Sequence, residues 1–255
     1  MNKRIRHYID LVLVLTDKEM KLRYKNSILG YIWSILHPLA LAFVFFIAFK
    51  VFMRIQMDNY VLFLICGLFP WQWFSNSVSA SPMLFLLNAS VIKKVNFPRN
   101  IIPMVSVLQD MIHFSLSIIV IVVFMMAYGK FPALAWIYGI PVLLVLQFVM
   151  VFGVSMFIAS INLFFRDLER LTGLFMTLLF YFTPVIYSEN MIPDKYRMLV
   201  NLNPVAPLMI SWRTLFLEGK FDLVSVMLAT VYSAVFYLVG KYVYSKLSVR
   251  FGEIL

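Results

Sequence analysis

Long apolar runs recur along this chain from about residue 31 almost to its last residues. In lipid, a spanning segment must satisfy its backbone hydrogen bonds internally, as a helix or as a closed barrel. Barrel strands alternate apolar and polar residues, whereas residues 118–126 are apolar throughout and residues 141–150 are almost so. With 62% hydrophobic residues and a mean hydropathy of +0.88, the pattern predicts an all-α integral membrane protein.

The apolar runs also predict how often the chain crosses. About 20 apolar residues span a bilayer core of about 30 Å, and on that measure the chain divides into six transmembrane helices with both termini on one side. The predicted spans are residues 31–52, 60–87, 101–127, 134–163, 171–187 and 221–244. Residues 1–30 form an N-terminal unit that precedes the six-helix domain of residues 31–255.

The distribution of positive charge predicts the orientation. Of the 22 lysine and arginine residues, fifteen fall on the side of the termini and seven on the opposite side. Cytoplasmic loops carry such an excess, so we expect both termini in the cytoplasm and the chain in the cytoplasmic (inner) membrane. Anionic lipid headgroups suit this basic side, and the net charge of +10 therefore requires no nucleic-acid partner.

The N-terminal unit resembles a signal peptide only superficially. Its apolar stretch at residues 9–15 is short and no small-residue cleavage site follows, so we expect it to stay on the protein. At helical spacing Ile5, Ile9, Val12, Leu13 and Met20 gather on one side, which predicts an amphipathic helix at the cytoplasmic interface. Two roles stay open: a membrane anchor, or a helix that leans on a soluble partner.

Polar residues interrupt two of the predicted spans. Ser77 and Ser81 are four residues apart, which permits close approach of another helix; the alternative is a lining for a wet path. Asp110 and His113 share a helix face, and a carboxylate there must face protein or water. We favour a polar contact with a neighbouring helix over a proton relay, because no other span supplies a chain of acidic or histidine partners.

Residues 188–220, called the gate segment below, are too long for a turn and too apolar for a solvated loop. Prolines break the segment into pieces too short to cross. Such pieces are tolerated at membrane depth only against protein or a water-filled cavity. They predict short re-entrant or interfacial helices that form an external gate, with Asn203, Pro204, Pro207 and Arg213 as its candidate residues.

Aromatic residues make up 17% of the chain. The default interpretation is a belt at the membrane interface together with lipid-facing phenylalanines. A second interpretation stays open, in which some rings face a channel and contact the flat faces of sugars. The candidates for that channel are Trp71, Trp73, Phe74, Tyr181, Phe182 and Tyr187.

Catalytic and metal-binding motifs are absent from the sequence. Each Gly-Lys pair is followed by an aromatic residue, so the chain has no G-x-x-x-x-G-K-[ST] phosphate loop. It also lacks zinc-ligand spacing and the H-E-x-x-H and G-x-S-x-G motifs. We therefore expect no catalytic residues, no metal and no cofactor in this chain. Cys66 lies within an apolar run, and we expect it to be a small buried residue.

Three segments carry a family resemblance. Residues 17–38 (DKEMKLRYKNSILGYIWSILHP) resemble the beginning of the first span in the permease subunits of type-two ABC exporters, within the branch that moves O-antigen, capsule and teichoic-acid polymers. Residues 87–99 (LNASVIKKVNFPR), called the coupling loop below, and residues 164–170 (FFRDLER), called the second loop below, resemble that family's two cytoplasmic loops. The resemblance extends over essentially the whole chain.

The resemblance implies a permease that pairs with a second copy of itself and with two ATPase subunits, which bind ATP and magnesium. The exported polysaccharide would be carried on a polyprenyl lipid. Short cytoplasmic coupling helices would contact the ATPase through Ser90, Val91, Ile92, Lys93, Lys94, Phe97, Arg99, Arg166, Asp167, Glu169 and Arg170. The lipid headgroup would be drawn to Arg4, Arg6, Arg23 and Lys25.

Two alternatives to a polysaccharide exporter stay open: a permease with a different substrate, and an enzyme. A type-two permease for a drug or haem has the same architecture, and only the exporter of a polymer needs an aromatic-lined channel wide enough for a sugar chain. A membrane enzyme acting on polyprenyl-linked sugars would need paired acidic residues at the membrane surface. Asp17 with Glu19, and Asp167 with Glu169, come closest, but both pairs lie among basic residues.

Overall fold

The computed structural model describes residues 3–24, 32–54, 56–57, 59–95 and 97–254. Within these ranges the chain forms helices and no strand, as the sequence predicts. The α-helices are α1 (Lys3–Tyr24), α2 (Trp33–Phe45), α3 (Tyr60–Ala80), α4 (Leu84–Leu87), α5 (Ala89–Lys94), α6 (Ile101–Ala127), α7 (Trp136–Asn162), α8 (Leu168–Phe182), α9 (Arg197–Leu202), α10 (Ala206–Glu218), α11 (Leu223–Leu247) and α12 (Phe251–Ile254). A π-helical stretch, Phe46–Phe52, continues α2, and 3-10 turns occupy Ser81–Met83, Glu189–Met191, Asp194–Tyr196 and Ser248–Arg250.

Five stretches of the described residues are long and apolar enough to cross a bilayer. They are Ile35–Phe52, Tyr60–Leu87, Ile101–Ala127, Trp136–Asn162 and Leu223–Arg250. Each overlaps one of the predicted spans, although the predicted first residue of the first span lies outside the described residues. The prediction of an all-α, multi-pass membrane protein is confirmed.

The predicted fifth span, residues 171–187, differs in the structure. Its helix α8 has 15 residues, which at 1.5 Å per residue gives about 22 Å, less than a bilayer core. The helix ends at Phe182 because Thr183 is extended (φ −95°, ψ 134°), and a residue before proline is disfavoured in the helical region. The helix thus ends five residues before the end of the predicted span at residue 187, and the count of six crossings stays a prediction.

Helix α3 is the central helix of the bundle. It packs against α2, α6, α7, α8 and α10, and most of its side chains are buried. The turn Ser81–Met83 then leads through α4 into α5 with few intervening residues. The chain from Tyr60 to Lys94 is consequently a series of helical segments that connects the central helix to α5.

Helices α7 and α11 cross at a distance that only glycine permits. A Cβ atom built on Gly240 would lie 2.0 Å from the carbonyl oxygen of Gly153, and one built on Gly153 would lie 2.5 Å from the Cα atom of Tyr237. Small residues allow such backbone contact between membrane helices. The crossing fixes α11 directly on the backbone of α7.

Helix α1 lies along the first turns of α6. Its buried stripe consists of Val12, Thr16 and Met20, which are spaced four residues apart and so share a face. The sequence grouped Ile9 and Leu13 with that stripe, but these side chains are 42% and 61% exposed. The amphipathic pattern predicts the apolar side of α1. The packing against α6 determines which residues of that side are buried.

Candidate functional site

The coupling loop contains a short basic helix, α5. Lys93 and Lys94, in its last turn, are exposed. Ile92, one residue earlier, is 7% exposed and packs in a cluster with Phe85 and Leu163. The helix therefore exposes its two lysines to solvent, while Ile92 on its buried side packs against α4 and the end of α7.

The other predicted coupling residues of this loop have mixed environments. Ser90 is exposed, and Val91 and Phe97 are partly buried. Nη1 of Arg99 donates a hydrogen bond to the carbonyl oxygen of Ser248 at 2.8 Å. Arg99 thus binds another part of this chain, while Ser90 and the two lysines face outward.

The second loop is the turn between α7 and α8. Its four predicted coupling residues are all exposed; they are Arg166, Asp167, Glu169 and Arg170. The loop lies at the same end of the bundle as α5, because the end of α7 packs with α5 in one apolar cluster. Helix α1 reaches this end too, since Nδ2 of Asn100 donates to the hydroxyl of Tyr8 at 3.0 Å.

The buried carboxylate of α6 makes a contact with a neighbouring helix. The hydroxyl of Ser77 in α3 donates to Oδ2 of Asp110 at 2.7 Å, and the two side chains are 0% and 5% exposed. His113, one turn further along α6, is also buried. The predicted polar helix–helix contact is confirmed.

The turn between α3 and α4 is held by α7. Oγ of Ser81 donates to Oγ of Ser155 at 2.8 Å, and Nδ2 of Asn162 donates to the carbonyl oxygen of Pro82 at 2.8 Å. Ser81 therefore lies at a close helix contact, as predicted. Both bonds fix the bend that leads from the central helix into α5.

Gln147 of α7 joins three helices, although no sequence motif marks it as a functional residue. Its Nε2 donates to the carbonyl oxygen of Pro70 in α3 at 2.8 Å. Its Oε1 accepts from Nε1 of Trp212 in α10 at 2.7 Å. A lone glutamine within an apolar run was the available signal, because a polar group at membrane depth must find a partner in protein or water.

Replacing Gln147 tests this junction. Gln147→Leu should destabilise the protein by about 1–3 kcal/mol, because it leaves a buried indole N–H without an acceptor. Trp212→Phe should destabilise it as well, and the double variant should lose less than the sum of the two single effects. Thermal unfolding of the detergent-solubilised protein measures all three; strictly additive effects would argue against the junction.

The gate segment consists of short helices packed into the bundle. Asn203, between α9 and α10, donates through Nδ2 to Oγ1 of Thr183 at 2.9 Å and accepts at Oδ1 from the backbone N–H of Val205 at 3.0 Å. Pro207 lies in the first turn of α10 and is buried, and Pro204 is partly buried. Asn203 therefore connects the gate segment to the chain that follows α8.

Arg213 of α10 is a buried cation with partners on two elements. Its Nη2 donates to the carbonyl oxygens of Pro184 at 2.6 Å and Val185 at 2.8 Å, and its guanidinium lies 3.8 Å from the ring centre of Phe63. A Cβ atom on Gly67 would lie 2.7 Å from that Nη2, so the glycine makes room for the arginine.

These bonds explain how the irregular segment after α8 is accommodated. Non-helical backbone at membrane depth needs partners from elsewhere in the protein. Arg213 supplies donors to two carbonyl groups, and the hydroxyl of Tyr60 donates to the carbonyl oxygen of Ile186 at 2.8 Å. The gate segment and the start of α3 together hold residues 183–186.

The predicted channel aromatics fall into two groups. Trp71, Trp73 and Phe74 are 5%, 2% and 3% exposed and pack within the main core, so they belong to the interior of this chain and not to an exposed wall. Tyr181 and Phe182, at the end of α8, are 60% and 69% exposed. Tyr187 is partly buried, and its hydroxyl donates to the carbonyl oxygen of Tyr181 at 3.0 Å.

The remaining predicted residues are only partly described. Arg6 of α1 is exposed, whereas the side chains of Arg4 and Arg23 and the whole of Lys25 lie outside the described part of the chain. Cys66 is buried, as predicted. Within the described residues, no group of three or more histidine, cysteine, aspartate or glutamate side chains could hold a metal ion.

Comparison with known proteins gives consistent matches over the chain. Residues 10–217 match the family described as ABC-2 type transporter. Two Klebsiella pneumoniae proteins, each named O-antigen export system permease protein RfbA, are 44% and 42% identical to this chain over 100% of its length and 98% of their own. A Myxococcus xanthus protein of the same name is 33% identical over 86% of this chain and 84% of its own length.

Proposed function

Because the chain belongs to the ABC-2 type transporter family, we propose that it is the transmembrane subunit of an ATP-driven exporter of a polyprenyl-linked, O-antigen-like polysaccharide. The observation that carries this proposal is 44% identity, over 100% of the chain, to a protein named O-antigen export system permease protein RfbA. A likeness of that extent includes the loops and the gate segment as well as the apolar helices. The likeness therefore indicates that this chain and that permease transport the same class of substrate, and not only that they have the same fold.

The working exporter contains two copies of this chain and two copies of an ABC ATPase. The ATPase binds ATP and magnesium, and this chain supplies the membrane path. The end of the bundle that carries α5 and the second loop faces the cytoplasm, together with both termini. Its exposed basic residues support that orientation; they include Lys93, Lys94, Arg166 and Arg170.

A continuous series of contacts can carry motion from the ATPase to the gate. Closure of the ATPase dimer displaces α5, which continues through α4 into the central helix α3. Helix α3 contacts α10 of the gate segment, and Gln147 is bonded to both helices. Packed elements of this kind shift between discrete arrangements, so a displacement of α5 changes the position of α10 and opens the outer gate.

The polymer passes between the two copies, and the lipid headgroup is recognised near the cytoplasmic interface. Exposed Tyr181 and Phe182 supply flat apolar surfaces for sugar rings at that path. Arg4, Arg6, Arg23 and Lys25 attract the pyrophosphate of the carrier lipid. Asn203 and Arg213 keep the outer gate in place until α10 moves.

Export from cells tests the proposal. A host that makes a lipid-linked O-antigen but lacks its own permease should accumulate the polymer inside. Co-expression of this chain with its ATPase should bring the polymer to the cell surface, as measured by surface immunolabelling and by extraction of the lipid-linked intermediate.

The same host separates the alternatives. An ATPase with its phosphate-loop lysine replaced should restore nothing, because hydrolysis is then lost. A permease for a small drug or haem would leave the polymer inside the cell even with an active ATPase. A chain that restores surface polymer without any ATPase would contradict the assignment to an ATP-driven exporter.

A further inference from the structure

The corner between α11 and α12 buries a single aromatic side chain among exposed neighbours. Phe251 is 0% exposed, whereas Val249 is 83% exposed and Arg250 and Gly252 are also exposed. The turn Ser248–Arg250 redirects the chain there. A phenylalanine inserted in this way has a specific receiving site within the bundle.

The receiving site is the base of α5. The ring of Phe251 lies 4.8 Å from the ring of Phe85, centre to centre, and 6.0 Å from that of Tyr244. The same apolar cluster contains Ile92 of α5 and Leu163 at the end of α7. Phe251 therefore fills the space between the last long helix and the elements that support α5.

A second link joins the corner to the other end of the coupling loop. Arg99 donates to the carbonyl oxygen of Ser248 at 2.8 Å, and its guanidinium lies 5.9 Å from the ring centre of Phe251. The corner thus contacts the chain before α5 through Phe85 and the chain after α5 through Arg99. Because the corner contacts the chain on both sides of α5, a tilt of α5 would disturb one of these two contacts.

Helix α5 needs such support because it has only six residues. Helices that short are not stable on their own in water, so tertiary contacts must set its orientation. We propose that Phe251 and Arg99 are positioning residues, which hold α5 at the angle that the ATPase engages; this rests on the proposed function, in which α5 is the main ATPase contact. The corner acts through α5 and touches neither nucleotide nor polymer.

Phe251→Ala tests the proposal with two measurements on the full chain with its ATPase: label distances in nanodiscs, and transport in sealed proteoliposomes. Pulsed electron paramagnetic resonance between labels at Val95→Cys and Lys220→Cys reports the position of the end of α5, over a span of roughly 37 Å estimated from the length of α11. Val95 follows α5 directly and is exposed, and it is not one of the predicted ATPase contacts. The distance distribution should broaden in Phe251→Ala. Polysaccharide exported per ATP hydrolysed should fall roughly fivefold, within the range by which such mutations modulate coupling, while the ATPase still co-purifies.

Two variants separate positioning from general loss of packing. Phe251→Leu keeps a large apolar side chain and should recover most of the coupling and the narrow distribution. Phe69→Ala removes a phenylalanine that is 2% exposed in the main core; it should lower thermal stability to a similar degree without broadening the α5 distribution. Arg99→Gln combined with Phe251→Ala should be no worse than the more severe single variant, because both act on one element.

The outcomes are distinguishable. An unchanged α5 distribution in Phe251→Ala, or equal broadening in Phe69→Ala, overturns the inference. A wild-type complex that hydrolyses ATP but moves no lipid-linked polysaccharide rejects the proposed function, whatever the label distances show.

Discussion

Reversing two charges on α5, with Lys93→Glu and Lys94→Glu, is expected to reduce ATPase co-purification and polysaccharide export by at least about tenfold. Both lysines are exposed on a packed base, so the substitutions change the surface of α5 and not its support. Placing like charges together at an interface costs several kcal/mol, and about 1.4 kcal/mol corresponds to a tenfold change in affinity. Pull-down of the ATPase and the cellular export assay measure the two effects.

A matched control carries the same change in net charge at the opposite end of the bundle. Lys195→Glu with Lys220→Glu alters two exposed lysines of the gate segment and should leave ATPase binding near the wild-type level. Both double variants should reach the membrane in equal amounts. Wild-type ATPase binding and export in the Lys93 and Lys94 double variant would remove α5 as the main coupling helix.

Gly240→Ala is expected to produce the largest loss of stability of any single methyl group added to a described glycine. The added Cβ would lie 2.0 Å from the backbone oxygen of Gly153, and a backbone atom cannot rotate away as a side chain can. Overpacking in a tight contact costs about 1–3 kcal/mol or more, which corresponds to a fall in melting temperature of roughly 3–10 °C. Fluorescence-detected thermal unfolding in detergent gives the value.

Gly173→Ala is the control for that experiment. Gly173 also lies inside a helix, α8, but a Cβ atom there would meet nothing within 4 Å. Alanine favours a helix over glycine by about 0.5–1 kcal/mol, so this variant should be neutral or slightly more stable. Equal destabilisation by the two alanines would mean that the crossing of α7 and α11 is looser than the structure indicates.

Local patterns predicted the elements well. The apolar runs indicated α6, α7 and α11 to within a few residues, because membrane thickness sets helix length. The basic residues of the coupling loop indicated an exposed surface, because Lys93 and Lys94 need water whatever surrounds them. The unusual composition of the gate segment indicated short helices before the last span.

The contacts of the candidate site could not be predicted from the sequence where they join residues that are distant along the chain. Asn203 and Arg213 were predicted as gate residues from the sequence, which is a role that stays a prediction, but their partners at Thr183, Pro184 and Val185 follow from packing alone. Gln147 was missed because its two partners lie on α3 and α10. Phe251 carried no local signal, since one phenylalanine near an apolar helix is ordinary.

The sequence by itself determined that the chain is helical, lies in a membrane and carries basic residues in the loops between its apolar runs. Only the tertiary structure decided which apolar faces meet protein: Trp73 is buried while Tyr181 is exposed, and Val12 is covered while Leu13 is not. The physical reason is that lipid tails are as apolar as the protein interior, so hydrophobicity does not distinguish the two surroundings. Close backbone contacts and hydrogen bonds between polar groups determine which faces pack against protein, as at Gly153 with Gly240 and at Gln147 with Trp212.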